Sequence, residues 1–193
     1  MSFLSFVRNP SIDMRDARRV FLGQSGLLLS GAAVALMAGR DALAKGKEGG
    51  ASDVRILNTA LGAELEAIAA YQVGAESGLL KKPALDLAIV FQGHHKEHAS
   101  LLSKTITTLG GKPVSAKSEY TFPVDKLKSD ADVLRFAAML EKGAVSAYLG
   151  AVPVFDNRDL SKAAASILGD EAMHWAVLRN ALGEPPVPSA FMS

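Results

Sequence analysis

The chain of 193 residues has no cysteine, which excludes disulfides, thiolate metal sites, four-cysteine iron centres and cysteine nucleophiles. It also lacks a Gly-x-Ser-x-Gly turn and a Gly-rich phosphate loop, so neither a hydrolase elbow nor a nucleotide cradle has a sequence basis. Basic surplus is missing too. The formal net charge is +1, and residues 1–44 hold five basic and three acidic residues, leaving 16 basic against 17 acidic elsewhere. Nucleic acid therefore has no basic footprint to bind. No segment alternates strongly enough between apolar and polar residues to predict a strand. What remains for site chemistry is carboxylates and four histidines, a donor set that suits iron, manganese or zinc. With 49% of its residues hydrophobic, the chain can fill one domain but not two large ones.

The N-terminal residues read as an address. Ala17-Arg18-Arg19-Val20-Phe21-Leu22 closely resembles the twin-arginine export pattern, and an uncharged apolar stretch follows from Val20 to Gly39. Ala42-Leu43-Ala44 supplies a small-x-small cleavage signal, so residues 1–44 are expected to be a signal peptide removed after Ala44. An uncleaved membrane anchor is the alternative, weakened by Gln24, Ser25, Ser30 and the glycines of that stretch. The resemblance implies passage of a folded, often cofactor-loaded protein through the twin-arginine machinery into the periplasm.

Residues 45–52 (KGKEGGAS) read as a polar linker. Beyond it the apolar period predicts four helices. The first, about 53–78 with Ser52 or Asp53 as N-cap, carries Leu57, Leu61, Glu64, Ile68, Tyr71 and Ala75 on one face. The second, about 83–109, opens at Pro83 and aligns Ala88, Phe91, His95, His98, Leu102, Ile106 and Leu109 before Gly110-Gly111 stops it. Residues 112–128 hold two prolines and no helical period, and read as a long crossing connection. A third helix, about 130–152 behind a Ser129/Asp130 cap, turns Leu134, Ala138, Glu141, Val145 and Tyr148 inward, and a fourth, about 160–182, does so with Leu160, Ala164, Ile167, Glu171, His174 and Leu178. Gly183 and Pro185-Pro186-Val187-Pro188 begin a tail over 183–193. Two short-linked helical hairpins joined by one long connection make an all-α, four-helix bundle with a crossover between helices 2 and 3.

Two stretches share one template. Glu64–Tyr71 (ELEAIAAY) and Glu141–Tyr148 (EKGAVSAY) both read Glu-x-x-Ala-[Ile/Val]-x-Ala-Tyr. An inward carboxylate is costly unless it is paired or bound to a metal, so a duplicated one demands partners. Glu171 and His174 lie at i and i+3 on one side of their helix and can point at one centre. Tyr71 and Tyr148 fall seven residues after their glutamates, about 10.5 Å along a helix, where they can hydrogen-bond the carboxylates across the bundle. On the second helix the apolar phase aligns His95 and His98 with Glu171 and His174. An ungapped repeat would instead use His94 and Glu97 as a reversed pair, whereas in the His95/His98 register His94 is expected only to approach the edge of the site. Glu66, Glu76, Asp86, Asp156 and Asp170 read as surface charges, Asp170 pointing about 100° away from Glu171, while Trp175 and Met173 read as packing between helices.

With these residues the chain resembles the ferritin-like superfamily over about residues 53–182, especially the small exported branch of rubrerythrin-like and desiccation-related proteins. The resemblance implies a site for two metal ions, with one Glu from each of helices 1 and 3 and a Glu-x-x-His pair from each of helices 2 and 4. Glu64 and Glu141 match the single carboxylates, Glu171 with His174 the fourth-helix pair, and His98 the second-helix histidine. His95 stands where the family places a bridging Glu. Three carboxylates leave two divalent ions with one net positive charge, and a neutral imidazole binds one ion rather than bridging two. The site is thus expected to hold either an asymmetric pair or a single ion. The resemblance further implies iron, most simply a di-iron pair, with manganese next, and dioxygen or hydrogen peroxide as reactants, with Tyr71 and Tyr148 holding ligands or relaying protons. A homodimer is an open expectation. So is a non-enzymatic role in stress protection or interaction, with a degenerate site.

Overall fold

A computed structural model of the protein describes residues 49–192, so the leader and its cleavage after Ala44 lie outside the described residues. Among these residues there are four α-helices and no strand: α1 Gly49–Glu76, α2 Lys82–Thr108, α3 Asp130–Ala151 and α4 Arg158–Ala181. Short 3-10 turns occupy Val124–Lys126 and Val152–Val154. Helix α1 packs against α2 and α3 against α4, and the two hairpins meet through α1 with α3 and α2 with α4.

The ends of the helices follow local chemistry. Ser129 caps α3 by accepting from the Asp132 backbone N–H, and Asn157 caps α4 by accepting from that of Asp159. Gly110 and Gly183 take φ of 77° and 75° just past α2 and α4, conformations that side chains resist. Helix α1 departs from expectation. Its described part already runs from Gly49, inside the segment expected as linker, and Asp53 is no cap but a buried residue within the helix. Its carboxylate accepts the Asp156 and Asn157 backbone N–H groups at 3.0 and 3.1 Å. That contact with the α3–α4 link stabilises a turn whose Gly/Ser composition, read locally, favours a loop.

The crossover follows from helix direction. Tyr71 of α1 meets Glu141 of α3 while Glu64 meets Tyr148, so α1 and α3 are antiparallel. As α1 and α2 form a hairpin, α2 and α3 run the same way, and the connection must return the length of the bundle. Helix α2 has 27 residues, about 40 Å at 1.5 Å each, a distance that residues 109–129 span with slack. Both ends of this segment are fastened. The Asn58 amide donates to the Lys112 carbonyl at 3.1 Å and accepts the Val114 N–H at 2.8 Å, and Asp130 accepts the Lys81 N–H at 2.8 Å. Gly111 turns so close to α1 that a Cβ there would lie 2.6 Å from a Val54 methyl.

The inward faces match the apolar period closely. Every inward residue expected on α3 and α4 is buried, and Leu109 of α2 is an exception, half-exposed past the helix end. The apolar residues separate into two layers, one around Leu57, Leu61, Leu102, Ile106 and Ile167, the other around Phe91, Leu134, Ala138, Trp175 and Leu178. Between them lies a band of buried polar residues.

Candidate metal centre

Each helix delivers its part of that band by register. Helix α1 supplies Glu64, α2 His95 and His98, α3 Glu141, and α4 Glu171 and His174. Five of the six are at most 3% exposed, and His98 is slightly more open. The six expected ligand positions are therefore brought together at one level of the bundle. Tyr71 and Tyr148 sit there as well, crosswise: Tyr71 donates to Glu141 Oε1, and Tyr148 donates to Glu64 Oε1 at 2.5 Å. Each half of the repeated octad thus holds the carboxylate of the other.

The donor atoms fall into two groups. In one, Glu64 Oε2 lies 2.8 Å from His95 Nδ1 and 3.6 Å from His98 Nδ1, and Glu171 Oε1 lies 3.1 Å from His98 Nδ1. In the other, Glu141 Oε1 lies 3.3 Å from His95 Nε2 and 3.4 Å from His174 Nδ1, and Glu171 Oε2 lies 3.4 Å from His174 Nδ1. Ligands on one ion at bonds of about 2.0–2.2 Å stand about 3–3.5 Å apart, so either group could hold a metal ion. Glu171 presents one oxygen to each group and is placed to bridge. His95 presents one nitrogen to each, yet as a neutral ring it has a single lone pair to give.

The satisfaction of these groups is incomplete. Among the described residues, His98 Nδ1, His174 Nδ1 and both Glu171 carboxylate oxygens are buried without a hydrogen-bond partner. They approach one another closely enough but out of line, an arrangement that costs free energy unless something else satisfies the lone pairs. A divalent cation fits that need, since buried carboxylate and imidazole donors converge there.

Electrostatics make the cluster self-neutralising when metal is absent. Burial alone would lower the His95 imidazole, but hydrogen bonds with Glu141 and Glu64 push it up to about 11. His98 and His174 rise to about 9, burial again being outweighed, by Glu171 and Glu64 for the first and by Glu141 and Glu171 for the second. Burial would raise Glu141, yet the adjacent His174 and His95 imidazoles hold it far below the usual carboxylate range. For Glu171 burial is not outweighed by His174 and His98, and with Glu141 close by its carboxyl is raised from its ordinary value. Burial beside Glu141 and Glu64 keeps the Tyr71 and Tyr148 hydroxyls protonated well past their ordinary range. Phe91 fixes the plane of His174 by stacking on it at 4.0 Å.

One residue enters from outside the expected set, and a second stands at the edge where it was expected. Asp170, expected as a surface charge, leans against the site, with Oδ2 lying 3.3 Å from His174 Nε2 and 3.4 Å from His98 Nε2. The half-exposed His94 completes that rim, its Nδ1 lying 3.1 Å from Asp170 Oδ2. A rotation of 100° from Glu171 removes a side chain from the centre but not from the adjoining α2 helix, and intrahelical phase cannot reveal that. Met173, expected between helices, is exposed, whereas Trp175 is buried. Glu97 faces solvent, so the reversed His94/Glu97 pair does not form. On the opposite side an apolar groove walled by Ala60, Ala63, Ala67, Gly143, Ala144 and Ala147 runs between α1 and α3 to Glu64, Glu141 and His95.

Comparison with curated proteins gives no match. Among solved structures, a conserved hypothetical protein from Mycobacterium tuberculosis is similar, with a TM-score of 0.64 at 23% identity over 74% of this chain and 99% of its own. That likeness concerns the fold. The ferritin-like domain family matches residues 52–184, in keeping with the antiparallel hairpins, the long crossover and the buried Glu/His band, and the chain belongs to the ferritin-like domain family.

Proposed function

We propose that the protein is an exported ferritin-like metalloprotein, of the rubrerythrin-like or desiccation-related kind, which binds two divalent ions and reacts with dioxygen or hydrogen peroxide. The observation that carries this reading is the set of buried, partnerless donor atoms on Glu171, His98 and His174. Iron is the first candidate and manganese the second, because the donors are carboxylate and imidazole with no thiolate. When bound, such ions supply one-electron chemistry and open coordination positions. The chain's own residues do the rest. Glu64 and Glu141 are held by the Tyr148 and Tyr71 hydroxyls, Glu171 faces both ion positions, and the alanine-walled groove offers a small neutral oxidant a path to the carboxylate side. Tyr71 and Tyr148 are placed to hold a proton at the Glu Oε1 atoms as charge on the carboxylates changes.

Anaerobic Fe²⁺ titration of the metal-free protein tests the reading, with about two ions per chain expected and oxidation on admitting dioxygen or peroxide. No uptake, together with no metal in the purified protein, would overturn it. Export rests on Arg18-Arg19; Arg18→Lys/Arg19→Lys should leave uncleaved precursor inside the cell, and unchanged export would remove that part of the proposal.

A second reading has one observation in its favour. His95 engages Glu64 through Nδ1 at 2.8 Å and Glu141 through Nε2 at 3.3 Å, so a doubly protonated ring serves as an internal cation between two carboxylates. The bundle would then act as a stress-protection or interaction module with no redox reaction. Thermal unfolding with and without Fe²⁺ or Mn²⁺ separates the two, since an ion bound only by the folded chain raises the melting temperature.

A further inference from the structure

The rim beside the centre has features that the inner ligand set does not use. His94 Nδ1, His174 Nε2 and Asp170 Oδ2 lie 2.9, 3.1 and 3.3 Å from one another, and His98 Nε2 stands 3.4 Å from the same Asp170 oxygen. These separations match those of ligands sharing one ion at bonds of about 2.0–2.2 Å. The three groups on His94, Asp170 and His174 could themselves hold a metal ion. His94 is 41% exposed at its side chain and Asp170 22%, so an ion in water reaches this rim directly, whereas the inner donors are sealed beneath it.

His98 and His174 stand between the two places. Their Nδ1 atoms face Glu171 at 3.1 and 3.4 Å, and their Nε2 atoms face Asp170. A neutral imidazole has one lone pair, on whichever nitrogen lacks the proton. An ion at the rim needs the lone pair of His174 at Nε2, and an ion inside needs it at Nδ1. The two occupancies therefore compete for one ring.

We propose that His94, Asp170 and His174 Nε2 form an outer divalent-cation site that captures the ion and passes it inward through the shared histidine. On transfer the Nε2–metal bond breaks and an Nδ1–metal bond forms. One proton leaves Nδ1 and one is taken up at Nε2, with no net change, and Asp170 turns from metal ligand into acceptor of the new Nε2–H bond. That bond then orients His174 for the inner ion. His94, left without an ion, returns to solvent contact. The outer site rests on the inner centre being a metal site, as proposed above.

The test uses Co²⁺, whose visible absorption reports carboxylate and imidazole ligation, mixed rapidly with the metal-free full chain. Capture before transfer makes the observed rate saturate as Co²⁺ rises. His94→Ala should abolish saturation and slow uptake by about tenfold at low Co²⁺, while final occupancy and melting temperature stay those of the unaltered protein. His94→Glu, which restores a ligand, should keep the saturating phase. Uptake by His94→Ala at the original rate overturns the outer site and leaves the inner centre standing. Loss of final occupancy in that variant overturns it also, by making His94 an inner ligand, and a His94→Glu chain as slow as His94→Ala reduces His94 to a packing role. An unaltered chain that binds no Co²⁺ at equilibrium removes the inner centre and this site together.

Discussion

His95 decides how many charges the centre can hold. Glu64, Glu141 and Glu171 offset three of the four positive charges of a divalent pair, and the neutral His95 ring serves only one of the two donor groups that it faces. Replacing His95 with Glu would supply the fourth carboxylate. The outcome expected is opposite in sign for the two forms of the protein. Without metal, four buried carboxylates lose their internal cation, and removing one member of a buried pair costs about 3–5 kcal/mol. With metal, the second ion should bind about tenfold more tightly, a gain that anaerobic calorimetry of Mn²⁺ binding would register. A His95→Glu chain that is more stable without metal and no tighter with it would contradict this account. The tyrosines make a second residue-level prediction. Each hydroxyl donates to a buried carboxylate on the opposite hairpin, so Tyr71→Phe and Tyr148→Phe should each lower unfolding free energy by about 1.5–3 kcal/mol in urea titration. The repeat implies comparable losses, and a negligible change in either would deny it its bridging role.

At the scale of the helix, what can be read from sequence is whatever a helix decides by itself. The inward faces of α3 and α4, the Ser129 cap and the glycine stops after α2 and α4 follow from period and local backbone chemistry. The Glu/His band was legible for the same reason, since Glu64, His95, Glu141, Glu171 and His174 share the apolar phase of their helices. Asp53 and Asp170 were not. Asp53 gains its meaning from backbone N–H groups 103 and 104 positions away, and Asp170 from imidazoles on α2. No intrahelical rule encodes either partner. Met173 fails in the other direction, an apolar residue read as packed that is exposed among the described residues. Asp53→Ala tests the α1 latch. Two part-buried N–H groups would lose their acceptor, at less than about 1–3 kcal/mol each because water can reach them, and amide exchange should rise first in residues 49–56 and the α3–α4 link. Because Asp53 lies more than two turns from Glu64, metal stoichiometry should be unchanged. Exchange confined to the centre, with the latch unaffected, would refute that division.

For the whole molecule, protons would contend with ions at the proposed centre for the same lone pairs, which gives its stability a definite dependence on pH. In the metal-free protein the folded pKa values of His95, His98 and His174 stand at about 11, 9 and 9, above the ordinary value of 6.5. A raised histidine pKa stabilises the folded state fully below 6.5 and loses that contribution as pH climbs through the folded value. Glu141 is displaced downward, so its contribution is present above the ordinary carboxylate range and disappears in acid. The metal-free bundle should therefore be most stable between about pH 5 and 6.5 and weaken steadily towards pH 9 and beyond. Metal binding reverses the upper limb. An ion must displace the protons that the histidines hold, so each binding event releases protons and affinity rises with pH. The increment in melting temperature produced by a fixed concentration of Mn²⁺ should accordingly be larger at pH 8 than at pH 6, although the metal-free protein is less stable at pH 8. Differential scanning calorimetry at the two pH values reads both quantities in one experiment. Equal increments would mean that the bound ion displaces no histidine proton, and an increment larger at pH 6 would place the ion away from these histidines altogether.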